Sequence, residues 1–130
     1  MVTRLSTAAP EVQRMLDPLD DAGCMAIARS AVLKIISAVP GLPVELAAAI
    51  RAANVSGAAV IAQNLDDRYF ELDALGAPGA LETFTQARAA MAVQFLLQEA
   101  PLEALYEAAI AIDNPNEFLR LVREVAGGAV

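Results

Sequence analysis

Residues 78–101 read PGALETFTQARAAMAVQFLLQEAP. Leu81, Phe84, Arg88, Met91 and Phe95 recur in steps of three and four, the spacing of one helical face. Pro78 suits a first helical turn, and Pro101 restarts the chain, so the spacing predicts one long helix from Pro78 to about Glu99. After Ala89 this helix is apolar nearly all round, with Met91, Val93, Phe95, Leu96 and Leu97. Such a helix is either central in a bundle or half covered by a second subunit. Both alternatives stand on sequence. The second makes residues 89–97, with Val93, Leu96 and Leu97, part of a homodimer interface.

The same punctuation continues outward. Pro101 opens a helix to Ile112 whose stripe is Leu102, Leu105, Tyr106, Ala109 and Ile112. Asn114-Pro115-Asn116-Glu117 combines a cap, a first-turn proline and an acid, and opens a last helix through Phe118, Leu121, Val122 and Val125. Upstream, Ser6-Thr7 followed by Pro10-Glu11 opens a short helix to about Leu16. Asp20 or Asp21 caps a helix over 22–38 with the stripe Met25, Ala28, Val32, Ile35, Ile36 and Val39, and Pro43 starts another to Asn54. Residues 55–76 read two ways. Ser56 caps a short helix to Gln63, and Leu65, Tyr69, Leu72 and Leu75 continue in helical steps to a stop at Gly76. A strand through Tyr69–Leu72 competes. Connections of two to five residues favour antiparallel neighbours. The expectation is an all-α, single-domain bundle over 1–130, with six or seven short-to-medium antiparallel helices and frayed ends at 1–6 and 127–130.

Composition supports one core. The chain has 130 residues, 57% of them hydrophobic; 29 are Ala, which leaves 45 larger apolar side chains. It has no His, no Trp and one Cys, so a Ser-His-Asp triad, a Cys-His pair, an imidazole metal site and a multi-thiolate cluster are all excluded within one chain. One Cys fits a reducing compartment. The first residues lack the apolar core of a secretory signal, and the most apolar run, 89–97, is broken by Gln94 and far short of the ~18 residues of a membrane span. The expectation is a cytoplasmic protein with no membrane contact.

The net charge is −7, and it is unevenly placed. Residues 1–65 carry five bases and five acids, whereas residues 66–130 carry four bases and eleven acids. Without a basic footprint, direct nucleic-acid binding is disfavoured. The acid excess either meets a basic protein partner or simply keeps an Ala-rich surface soluble.

Few groups offer chemistry. Cys24 lies near a helix start but beside acids, and reads as a small buried hydrophobe. Asp17, Asp20 and Asp21 lack a calcium-loop spacing and read as helix caps. Ser30 and Lys34 lie four apart, but Lys34 points away from the apolar stripe, into solvent. Asp66-Asp67-Arg68 with Glu71 and Asp73 is the densest charged segment, and Asp67 and Glu71 share a helix face. Arg88 interrupts an apolar stripe, so its guanidinium must pair, snorkel or meet a ligand. Glu99, Glu103 and Glu107 repeat every four residues, a strip that either docks a basic surface or is simply solvated. No metal or cofactor is expected. The reading is a non-enzymatic acidic interaction module of the inhibitor, immunity, chaperone or regulatory type, homodimeric, with Arg88, Asp66, Asp67, Glu99, Glu103 and Glu107 as candidate binding residues. The alternative is a small-ligand binder or carboxylate/arginine enzyme with a bundle cavity near Arg88.

Overall fold

The computed structural model describes residues 2–128. Among them are eight helices and no strand: α1 (Arg4–Ala8), α2 (Pro10–Leu16), α3 (Asp21–Ala38), α4 (Val44–Arg51), α5 (Val55–Ala74), α6 (Ala80–Leu97), α7 (Pro101–Ile112) and α8 (Pro115–Gly128). The class is the expected one, but the count is higher. The extra helix is α1. Thr3 and Ser6 form a reciprocal cap, each side chain accepting from the other's backbone N–H at 3.0 and 2.9 Å. Leu5 is buried, so residues 4–6 pack against the bundle where fraying was expected. Of the other expected frayed end, 127–128 close α8, and 129–130 lie outside the described residues, as does Met1.

Residues 55–74 form one helix, which removes the strand alternative. Asn54 accepts from the Gly57 N–H at 2.9 Å and caps it. At its other end Gly76 takes the left-handed conformation (φ 59°), which lets the Gly76 and Ala77 N–H groups close on the Asp73 and Leu72 carbonyls. This turn folds α6 back along α5. Asp66 meets Arg88 and Tyr69 meets Phe84, so the index falls on one helix as it rises on the other: the pair is antiparallel.

Helix α6 is central. It packs most extensively on α5 and α7, and also on α3 and α4. Its innermost residues are Ala87, Ala89, Ala90, Ala92, Val93 and Leu96. Alanine on several faces allows neighbours to approach from several sides. The larger Phe84, Met91 and Phe95 fill the flanks and are only half buried. Of the residues expected at an interface, Val93 is 0% and Leu96 2% exposed within the single chain, and Leu97 is half buried against the same core. The all-round apolar pattern of α6 is consumed by its own bundle, leaving Val93 and Leu96 no surface to offer a second subunit.

Candidate functional site

The anomaly at Arg88 resolves into a chain of charges crossing four helices. On α6, Arg88 donates from Nη2 to Asp66 Oδ1 of α5 at 2.6 Å, and from Nη1 to Glu107 Oε2 of α7 at 3.1 Å. Glu107 lies 4.0 Å from Arg4 of α1, which also pairs with Glu103 of α7. The order is therefore Asp66, Arg88, Glu107, Arg4, Glu103, acid and base alternating. Aromatic faces border it: the Arg4 guanidinium lies 4.3 Å from the Tyr106 ring centre, and that of Arg88 5.6 Å from Phe84. Arg88 Nε is buried and has no hydrogen-bond partner among the described residues. Such an orphaned donor costs about 1–3 kcal/mol, which the two carboxylate contacts must offset.

Glu107 is the inner member, only 3% exposed. Burial pushes its carboxyl above the ordinary glutamate range, against the opposing pull of Arg88 and Arg4. Between the ordinary range and the raised value, the folded protein holds a proton that the unfolded chain has released. Stability therefore falls as pH rises through that window and is level above it. Glu107→Gln keeps an acceptor for Arg88 and removes this slope. Chemical denaturation of both proteins at pH values rising from the ordinary glutamate range should show the Glu107-dependent decline in wild type alone.

The other expected residues separate. Asp67 is exposed and accepts from Gln63, one turn back, at 2.9 Å. Glu103 is half buried and held by Arg4. Glu99 is outside both helices: it sits at φ 59° in the α6–α7 turn, where its N–H closes on the Leu96 carbonyl. The strip Glu99–Glu103–Glu107 is thus not one solvated face, because Glu99 leaves the helix and Glu107 enters the core. Left-handed backbone disfavours any side chain with a Cβ, by about 1–2 kcal/mol. Glu99→Gly should stabilise the fold by roughly 0.5–1 kcal/mol after the extra freedom of glycine in the unfolded chain is counted. Thermal denaturation of the two proteins measures it.

Sequence reasoning required a partner for Arg88 and singled out Glu107, but as part of an acidic strip and not as that partner. A signal was available: Glu107 shares a face with Ala104, Ala108 and Ala111, the small residues that α7 buries. Of the stripe read from sequence, Leu105 is fully buried, whereas Leu102, Tyr106, Ala109 and Ile112 are half buried beside the alanine face. Arg4 had no local signal, lying 99 positions from Glu103.

Other candidates are structural. Asp20 accepts from the Gly23 N–H at 2.7 Å and caps α3. Lys34 is solvent-facing and pairs with Glu124 at 2.9 Å. Cys24 is half buried with Sγ 3.7 Å from the Leu16 carbonyl; burial, then Asp21, Asp20 and Asp17, pushes its thiol up, away from the reactive thiolate. It borders an open cleft of about 460 Å³ with Asp17, Asp21 and Glu103. Arg88 is not among the residues that line this cleft. Among those residues, no group of three or more Cys, Asp or Glu is placed to hold a metal ion, and no helix is long and apolar enough to cross a membrane. No protein-family model, curated protein or solved structure matches the chain.

Proposed function

We propose that this chain is a non-enzymatic, acidic helical interaction module, of the inhibitor, immunity, chaperone or regulatory kind, that acts on a basic protein partner. The observation that carries this reading is how its charge is divided. Arg88, the one base on an apolar stripe, is engaged by Asp66 and Glu107, and the open cleft beside Cys24 is lined without it. Asp67, Glu71, Asp73, Glu82, Glu99, Asp113 and Glu117 are exposed and form no ion pair among the described residues. The interior network holds four helices together, and the uncompensated charge faces outward. Arg14, Arg29, Arg51, Arg68 and Arg120 are also exposed and outside every ion pair among the described residues, so the surface carries both signs with acid in excess. A local excess of one sign steers a partner of the opposite sign.

Affinity capture from the native host, followed by mass spectrometry, tests this. The expected result is a stoichiometric protein with a basic surface whose retention falls as salt rises. Native mass spectrometry showing a co-purified small molecule, with no protein retained, would shift the assignment to a ligand-binding protein.

A further inference from the structure

The α5–α6 hairpin leaves large apolar side chains uncovered at its tip. Phe70 is 64% exposed, Leu75 80% and Leu81 76%. They lie close together: the Phe70 ring centre is 5.3 Å from that of Tyr69, and Tyr69 is 5.1 Å from Phe84, one turn along α6 from Leu81. Leu75 stands in the turn between the two helices. The result is an apolar ledge from Phe70 across Tyr69 and Phe84 to Leu81. Around it, Asp67, Glu71, Asp73 and Glu82 are exposed and outside every ion pair among the described residues, and Arg68 is the one base between 66 and 87.

This pairing of apolar surface and acid selects the occupant. A second copy docked symmetrically would bring the same acids against one another, which opposes association. An anionic membrane surface is repelled for the same reason. A helix with an apolar stripe and Lys or Arg along its flanks satisfies both parts. We propose that the α5–α6 tip docks a basic amphipathic helix of a partner protein. This rests on the interaction-module reading and gives it a surface.

The test uses the full chain and a labelled helical peptide with Leu in steps of three and four and Lys on the flanks, beside a version with Glu for Lys. Fluorescence anisotropy should show the Lys peptide binding wild type and the Glu peptide failing to bind. Phe70→Ser/Leu81→Ser alters exposed side chains only, so circular dichroism should be unchanged while the Kd for the Lys peptide rises by about tenfold or more. Asp67→Lys/Asp73→Lys should weaken it similarly. Absence of binding to wild type, equal binding of both peptides, or equal binding by the Ser variant would each overturn the proposal. So would a wild-type dimer in sedimentation that Phe70→Ser/Leu81→Ser dissolves, which would give the tip to a second copy. A host partner that binds the Ser variant as tightly as wild type removes this surface but leaves the module reading intact; capture of no partner protein at all removes that reading instead.

Discussion

Val93→Glu will abolish cooperative folding. Val93 is fully buried on the central helix, flanked by Ala89, Ala90, Ala92 and Leu96, which are buried with it. The substitution forfeits about 1.5–3 kcal/mol of apolar burial. It also places a carboxylate among apolar atoms with no cation in reach of the existing network, a cost of several kcal/mol more unless the group takes up a proton. The sum rivals the roughly 5–15 kcal/mol that holds a typical domain together. Thermal denaturation followed by circular dichroism should lose its sharp transition, and Leu96→Glu should do the same. Had residues 89–97 been an interface between subunits, Val93→Glu would yield a folded monomer with native helix content. Sedimentation beside the denaturation curve separates these outcomes, and a folded, cooperative monomer would refute the central placement of α6.

Arg88→Ala will destabilise by about 3–5 kcal/mol, because it leaves a buried carboxylate without its partner. Glu107 would keep only Arg4, 4.0 Å away, and Asp66 would lose its 2.6 Å contact. The cost belongs to breaking the network, not to having it. Replacing all three members with apolar residues, as Asp66→Leu/Arg88→Met/Glu107→Leu, should bring stability back to near wild type, since well-packed apolar groups often equal a buried ion pair. It also removes the unpartnered Nε of Arg88. Urea denaturation should show the midpoint falling for Arg88→Ala and recovering in the triple variant, with the slope unchanged. A loss below about 1 kcal/mol for Arg88→Ala would mean that Glu107 and Asp66 are satisfied by water instead.

Helix boundaries were legible because Pro, Gly, Asn and Asp punctuate this chain at the ends of its elements. Pro101 and Pro115 open α7 and α8, and Asp20 caps α3. The cap of α5 is Asn54 where the sequence reading chose Ser56. Which face of each helix lies innermost was less legible. Stripes were drawn through the largest apolar residues, yet in α5, α6 and α7 alanines are buried beside Leu65, Val93, Leu96 and Leu105, while Tyr69, Phe84, Met91, Phe95 and Tyr106 are only half buried. Much of the buried surface of this chain is alanine, and a hydrophobicity pattern weighted by size passes over it. The same weighting hid the inward placement of Glu107, which rides on the alanine face of α7. Arg88 was legible as an anomaly because one guanidinium on an apolar stripe demands a partner. Its partners were not, since Asp66 and Glu107 are brought to it only by the packing of α5 and α7 on either side of α6. The hairpin tip was half legible: the acids of 66–73 stood out, whereas the exposure of Phe70 and Leu81 follows from where the turn at Gly76 leaves them.

The claim that interior charge builds the fold while exterior charge finds the partner is tested most directly by titration calorimetry of the host partner against two variants. Asp66→Leu/Arg88→Met/Glu107→Leu should bind it with the affinity of wild type. Asp67→Lys/Glu71→Lys/Asp73→Lys, equally folded, should lose at least about tenfold in Kd, a difference of about 1.4 kcal/mol. The reverse pattern, with binding lost when the Arg88 network is replaced and kept when the outer acids are reversed, would contradict the account and place the binding site at Arg88.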